Sequence, residues 1–296
     1  MISNTKLTLL ALCSLSLIIL FTGCIPSNKP INPPAKKHPS LSPTPYALFP
    51  ILEYHLIGNQ EKRWTRTADN FRKDLEWLYA NGYYPMNLRD ILTNFEGLPA
   101  GKTPVVLTFD DTSSSQFRYL PNGEVDPNCA VGIIIAFHDR HPEDWPMRAT
   151  FFILIQTNNP DRNIFGQPEH PEYKQKKLKQ LIAWGMEIGS HTYSHDRLSD
   201  ISFQSAAYSL ARSYQELTNL CGIAPVSLAL PMGLYPTNEA VFSGQYQKIK
   251  YDYKLACEVA GGKQLAPNSA KFNPYHIHRI QTINAEWKKF FNRNSN

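Results

Sequence analysis

The chain has 296 residues, of which 42% are apolar and 19% are charged. A chain of this length and composition can bury a large core, which excludes a wholly disordered protein. The formal charge of +5 is spread along the sequence and forms no basic run, so no nucleic-acid partner is expected.

The first 23 residues have the features of an export signal. Lys6 precedes an apolar run at residues 7–21, which is short for a membrane span but has the length of a signal-peptide core. The run ends in Phe21-Thr22-Gly23-Cys24, which resembles the lipobox of bacterial lipoproteins. The resemblance implies that Cys24 becomes a lipidated N-terminus, and several acyl chains on one residue attach a protein stably to a membrane. We therefore expect an exported protein anchored to the outer face of the bacterial cell membrane, with an ordinary cleaved signal peptide as the alternative.

Residues 24–46 form a second segment that is rich in proline. Seven prolines lie between Ile25 and Pro45, among Lys, Asn and Ser residues. This composition is typical of an extended tether. The folded domain is therefore expected at residues 47–296.

Beyond the tether, short apolar strands alternate with amphipathic helices, a pattern typical of parallel strands joined by helical crossovers. Seven strands are predicted, at residues 50–54, 103–109, 149–155, 186–189, 226–230, 253–257 and 277–283. Helices are predicted at residues 68–80, 130–138, 171–184 and 203–220. The fold class is α/β, and this number of units predicts a distorted or incomplete (β/α) barrel with mainly parallel strands, or else a wide open sheet.

Two adjacent carboxylates follow the second predicted strand. The apolar residues 105–109 lead directly into Asp110 and Asp111. In parallel α/β folds, catalytic groups collect at the carboxyl ends of the strands, so both carboxylates are candidates for one site. The alternative is a turn or a helix N-cap, where Asp is also a favoured residue.

Two histidines follow the fourth predicted strand. His191 and His195 are four residues apart, a spacing that lets two imidazoles on one helical turn bind the same metal. With one carboxylate they make a three-ligand site that leaves positions open for substrate, and two nitrogens with one oxygen suit zinc. Two surface histidines without a metal are the alternative. A further pair, His138 and His141, lies at a predicted helix end among charges, and a solvated surface is the favoured interpretation there.

Taken together, these motifs resemble the polysaccharide deacetylase family, the nodulation-deacetylase-like carbohydrate esterases of family 4. The resemblance extends from about residue 48 to residue 283. Thr108-Phe109-Asp110-Asp111 matches the family's first motif, and His191-Thr192-Tyr193-Ser194-His195 matches the second. Pro231-Met232-Gly233 resembles the third motif, and residues 50–55 resemble the first barrel strand of many members.

The resemblance implies a role for each matching residue. Asp110 would be the general base, while Asp111, His191 and His195 would hold a divalent metal, zinc by preference. The backbone N–H of Met232 would stabilise the oxyanion. The reaction implied is hydrolysis of N-acetyl groups on an extracellular amino-sugar polymer, either peptidoglycan or an exopolysaccharide.

Two features depart from the family pattern. Ala229 stands where the family has an arginine beside the base, and we hypothesise that Arg279 on the last strand takes that place. The proton donor for the leaving amine is open between His55, at the end of the first strand, and His278, with His276 nearby. These departures keep two other functions open, a catalytically impaired glycan-binding lipoprotein and an O-acetyl esterase.

Overall fold

Seven parallel strands close into a barrel in the computed structural model, which describes residues 47–292. In chain order they are β1 (Ile51–Tyr54), β2 (Thr103–Phe109), β3 (Thr150–Ile153), β4 (Glu187–Ser190), β5 (Ser227–Ala229), β6 (Leu255–Gly261) and β7 (Ile277–Gln281). Each strand pairs with the next in the chain, and β1 also pairs with β7, which closes the ring. The predicted (β/α) barrel with parallel strands is confirmed, and the ring is complete. The predicted signal, Cys24 and the tether lie outside the described residues.

Helices cover the outer face of the barrel. They are α1 (Ala68–Ala80), α2 (Ala130–Arg140), α3 (Tyr173–Ala183), α4 (Phe203–Cys221) and α5 (Asn284–Phe291). The Thr67 side chain caps the start of α1 by accepting a hydrogen bond from the Asn70 N–H. Gly222 ends α4 in the left-handed conformation that favours glycine. The first four helices confirm the predicted ones, whereas α5 was not predicted.

Short elements complete the described chain. Tyr83–Met86 pairs with the start of β2, and an antiparallel hairpin of Ser243–Tyr246 and Ile249–Asp252 replaces a crossover helix between β5 and β6. The remaining pairs join Leu48–Phe49 to Gln264–Leu265 and Leu56–Gly58 to Thr65–Thr67, and the 3-10 helices are Leu88–Thr93, Pro160–Arg162, Pro231–Gly233 and Glu239–Phe242. None of the helices between residues 47 and 292 combines the length and the apolar character that a membrane span requires.

Strand alternation separates two layers of side chains. On β2, Val105, Leu107 and Phe109 belong to the large apolar cluster under the helices, which also contains side chains of α1 and α2. Val106 belongs to a second cluster, inside the barrel. Successive side chains of a strand point to opposite faces, so Thr108 is also directed inward.

The barrel interior changes from apolar to polar along the strands. Ile51 and Ile277 lie in the inner apolar cluster. Two residues further along the same strands, Glu53 and Arg279 are buried polar residues. The polar end is the carboxyl end of the strands, where active sites of parallel barrels lie.

Candidate active site

Three potential metal ligands meet at the carboxyl ends of β2 and β4. Asp111 Oδ1 lies 3.3 Å from His191 Nε2 and 3.4 Å from His195 Nε2. The Nδ1 of His191 lies 2.9 Å from the carbonyl oxygen of Ala229, so its other ring nitrogen is the one that faces the site. Tetrahedral zinc bonds of about 2.1 Å place neighbouring ligand atoms about 3.4 Å apart. The spacing and the donor set therefore fit a divalent metal.

Burial and mutual contacts determine the charge of these ligands. Burial alone would raise the pKa of Asp111, but its hydrogen bond with His191 outweighs burial and holds that pKa well below the usual value. Burial opposes charging of His191, yet the same contact raises the pKa of His191. Burial, reinforced by the nearby His191, lowers the pKa of His195 to about 4. His195 is thus neutral near pH 7, as a metal ligand must be.

Backbone strain is concentrated in the three motifs. Five of their residues or immediate neighbours have a positive φ: Asp111 (74°), Thr112 (50°), Thr192 (63°), His195 (61°) and Met232 (60°). Such conformations are costly for residues other than glycine and cluster at functional sites. At Asp111 the turn has a clear use, because it lets two adjacent carboxylates reach the same site from the end of one strand.

Asp110 forms a buried ion pair with Arg279. Its Oδ1 accepts a hydrogen bond of 2.8 Å from Arg279 Nη1, and its Oδ2 accepts one of 2.7 Å from Nη2. Burial would raise the pKa of Asp110, but the guanidinium outweighs burial and lowers it. Asp110 is therefore an ionised carboxylate held in a fixed orientation. The structure brings Arg279 to the place hypothesised for it, while its catalytic role stays a prediction.

His55 lies beside the same aspartate. One ligand atom each of His55, Asp110 and Glu53 lies within 4.8 Å of the others. The His55 ring also contacts the ring of Trp64, with centroids 4.6 Å apart. Burial lowers the pKa of His55. Of the two histidines considered as proton donor, His55 is the one that the structure brings into the site.

His278 does not reach the site, which corrects its candidacy as the proton donor. On β7 its neighbours Ile277 and Arg279 face the barrel interior, so strand alternation directs His278 outward. Its Nε2 lies 3.2 Å from Glu258 Oε1, and 46% of its side chain is exposed. His276 lies elsewhere as well, with its Nε2 2.6 Å from an oxygen of Glu239.

The third motif forms a 3-10 turn after β5. Met232 lies in the middle of this turn, and 60% of the residue's surface is exposed. Its backbone N–H donates to no acceptor among residues 47–292. A free backbone donor at this position suits the oxyanion role that the resemblance implies, whatever the side chain.

The second histidine pair, His138 and His141, makes contacts within the fold and not with the site. His138 Nδ1 lies 2.8 Å from the Trp145 carbonyl oxygen, and the His141 ring lies 4.1 Å from the ring of Tyr79. Neither belongs to a group that could hold a metal within the described part of the chain.

Sequence reasoning missed two polar residues of the site. Glu53 lies inside the barrel next to Arg279, and Arg162, from a 3-10 turn, donates a hydrogen bond to Asp111. A glutamate at an inward position of an apolar strand is a signal that could have identified Glu53. Arg162 lies in a long loop, where no periodicity indicates which side chains turn inward.

Comparison with known proteins supports the fold and the motifs. A family model described as polysaccharide deacetylase matches residues 143–247, a span that contains His191, His195 and Met232. The similarity to this family model covers about a third of the chain. Asp110 and Asp111 precede the matched span and extend the same site.

The chain is also similar to individual proteins. It is 23% identical over 239 residues to "Putative polysaccharide deacetylase YxkH" of Bacillus subtilis (strain 168), covering 79% of this chain and 71% of that protein. Among solved structures it resembles the deacetylase PplD of Streptococcus pyogenes in complex with acetate, with 20% identity, a TM-score of 0.57, and 80% and 92% of the two chains covered. It resembles IcaB of Ammonifex degensii with 17% identity, a TM-score of 0.58, and 82% and 95% covered. At these identities the solved structures show a shared fold.

Proposed function

We propose that the protein hydrolyses N-acetyl groups on an extracellular amino-sugar polymer, such as peptidoglycan or an exopolysaccharide. The observation that carries the proposal is a group of three potential metal ligands directly beside a buried, ionised carboxylate. Asp111 belongs to the metal set, and its neighbour Asp110 is the base held by Arg279. Similarity to PplD, whose solved structure contains acetate, supports an acetyl group as the part released.

Each group of residues in the site has a separate role in the proposed reaction. A divalent metal held by Asp111, His191 and His195, zinc by preference, would polarise the acetyl carbonyl and the attacking water. Asp110 takes a proton from that water as it attacks. The two hydrogen bonds from Arg279 keep the Asp110 carboxylate charged and correctly oriented.

The later steps need two further groups. The Met232 N–H is available to stabilise negative charge on the oxygen of the attacked carbonyl. The departing nitrogen must receive a proton, because an amine leaves far more readily than an amide anion. His55 is the donor that we assign, since it lies beside Asp110 within the site.

The same features favour the amidase over the other candidate functions. An ester oxygen leaves readily without a strong proton donor, so an O-acetyl esterase has less need of a histidine in the position of His55. A protein that only binds glycans has no use for the buried pair of Asp110 and Arg279, which is costly to desolvate.

We further propose that the domain acts outside the cell membrane. The apolar run at residues 7–21, the lipobox ending in Cys24 and the proline-rich residues 24–46 support export, lipid anchoring and a spacer. Metabolic labelling with a radioactive fatty acid tests the anchor, since the wild type should take up label and Cys24→Ala should not.

Substrate choice is the test of the reaction. The purified protein with added zinc should release acetate from N-acetylglucosamine oligomers faster than from O-acetylated sugars of matched length. His276→Ala, which alters a half-buried histidine outside the site, serves as the control and should behave as the wild type. No release from either substrate by zinc-loaded protein would refute the proposed activity.

A further inference from the structure

Glu53 is a buried acidic residue whose charge is only partly balanced. It lies on β1 with 2% of its surface exposed, and its Oε1 is 3.4 Å from Arg279 Nη2. The same guanidinium makes the shorter contacts of 2.8 and 2.7 Å to Asp110. The second oxygen of Glu53, Oε2, has no hydrogen-bond partner among the described residues. The Arg279 guanidinium therefore contacts two buried carboxylates, and its contacts with Asp110 are the shorter and stronger ones.

Such an arrangement favours a proton on the carboxyl group that has the weaker contact. Burial raises the pKa of Glu53 well above its usual value, against the opposing effects of Arg279 and of a hydrogen bond with the Gln281 side chain, and the nearby Asp110 raises it further. The titratable and charged groups that face Glu53 are Asp110 and Asp111 of β2, Arg279 of β7, His55, and Arg63 and Arg66 across a small cavity. Arg66 donates two hydrogen bonds, of 2.8 and 2.6 Å, to the Asp74 carboxylate. Its charge is therefore paired with Asp74 and does not neutralise Glu53.

The cavity connects Glu53 with His55. Its volume is about 10 Å³, and Trp64 and Gln281 contribute to its walls. A volume of this order, with polar groups on the walls, suits a single water molecule. His55 Nε2 and Glu53 Oε1 are 3.9 Å apart, too far for a direct hydrogen bond and within the distance that one water bridges.

A second metal ion is the competing use of these groups. Glu53, His55 and Asp110 each offer a ligand atom within 4.8 Å of the others. However, Arg279 already donates to both oxygens of Asp110, and a divalent cation there would lie against the guanidinium. Repulsion between the two cations disfavours that use.

We propose that Glu53 carries a proton in the resting protein and supplies it to the neutral His55 through a water in this cavity. The inference rests on the proposed function, because the proton is needed only when a C–N bond breaks. Glu53 passes its proton through the water to the neutral His55, the imidazolium so formed gives its proton to the departing nitrogen, the C–N bond breaks, and a neutral amine and a neutral imidazole result. Glu53 then regains a proton from solvent. Asp110 releases to solvent the proton that it took from the attacking water, so the protons balance.

Glu53 touches no reacting atom in this scheme and is a positioning residue for the proton. Infrared difference spectra of the zinc-loaded full-length protein test its protonation without any substrate. The wild type minus Glu53→Gln spectrum at pH 7 should contain the carbonyl band of a protonated carboxyl group. A difference spectrum that contains only carboxylate bands, with no protonated-carboxyl band, would overturn the proposal.

Turnover separates a proton-supplying role from a structural one. Glu53→Gln keeps the shape of the side chain, and we expect it to slow acetate release from N-acetylglucosamine oligomers by about 100-fold. Hydrolysis of an activated aryl acetate, whose leaving group needs no proton, should stay within about twofold of the wild type. The matched control is Glu258→Gln, the same change on the outer face beside His278, which should alter neither rate.

Each other outcome has a definite meaning. An equal loss on both substrates would assign Glu53 to holding Arg279 in place and overturn the proposal, as would an unchanged rate on the oligomers. A wild-type protein that releases no acetate from either substrate would refute the proposed function instead. The infrared band would then still decide whether Glu53 carries a proton.

Discussion

Arg279 holds both carboxylate oxygens of Asp110, although the two residues are 169 positions apart in the sequence. Their strands, β7 and β2, lie on either side of β1 in the closed barrel. The family resemblance places an arginine at the position that Ala229 occupies here. In this chain the charge beside the base therefore comes from a different strand, and closure of the barrel makes this possible.

The ion pair yields the first prediction. Arg279→Lys keeps the charge but loses the two-pronged contact, so we expect kcat to fall on the order of 100-fold because the base is misplaced. Zinc affinity, measured by titration calorimetry, should stay within about threefold, because Arg279 contacts no metal ligand. Wild-type kcat in this variant would remove the guanidinium from the mechanism.

Complete removal of the side chain tests the energetics of the same pair. Arg279→Ala leaves Asp110 buried without its partner, and we expect the free energy of unfolding to fall by about 3–5 kcal/mol. Urea denaturation of the wild type and the variant measures the loss. A difference below about 1 kcal/mol would show that water or another cation replaces the guanidinium.

The two histidines considered for the acid role make a matched pair of variants. His55→Ala should reduce kcat for N-acetylated oligomers by about 100-fold or more, because it removes the proton donor. His278→Ala should leave kcat within about twofold, since that side chain faces outward and pairs with Glu258. The reverse order of effects would contradict the assignment of His55.

Most of the barrel follows from local sequence patterns. Each strand is a short apolar run. The clearest is β2, Thr103–Phe109, because its run is almost entirely buried and ends directly at two carboxylates. The hairpin between β5 and β6 was missed because its strands are largely exposed and carry no apolar run. Helix α5 was missed because only Trp287 and Phe291 face the core, which gives too weak a periodicity to recognise.

Only the site residues that belong to recognisable sequence motifs could be predicted from the sequence. Asp111, His191 and His195 were found because their spacing and strand-end positions point to one metal. His278 was misjudged because strand alternation depends on register, and a shift of one residue moves a side chain to the other face. Arg162 reaches Asp111 from a separate loop, and such contacts are set by tertiary structure alone.

A buried lysine outside the site gives a pH prediction. Lys177 is fully buried, donates a 2.6 Å hydrogen bond to the Phe165 carbonyl oxygen, and burial lowers its pKa to about 7. In the unfolded chain the pKa of a lysine is about 10.4, so between about pH 7 and pH 10 the unfolded state binds more protons. The contribution of Lys177 to stability therefore rises with pH across this window and is unfavourable below it.

Lys177→Met removes the titrating group and tests this sign. Urea unfolding should show that the variant is stabilised relative to the wild type at pH 6 and that this advantage shrinks by pH 10. Lys179→Met, the same change at an exposed position of α3, is the control and should show no such trend. A pH-independent difference for Lys177→Met would contradict the assignment.

Zinc content and acetate release, measured together on three forms of the protein, test the central claim most directly. The wild type should bind zinc and release acetate from N-acetylglucosamine oligomers. Asp110→Asn should keep the zinc but lose at least about 100-fold in rate, because only the base is removed. His191→Ala should lose both, because a metal ligand is removed. An active Asp110→Asn variant, or a His191→Ala variant that retains zinc and turnover, would contradict the account.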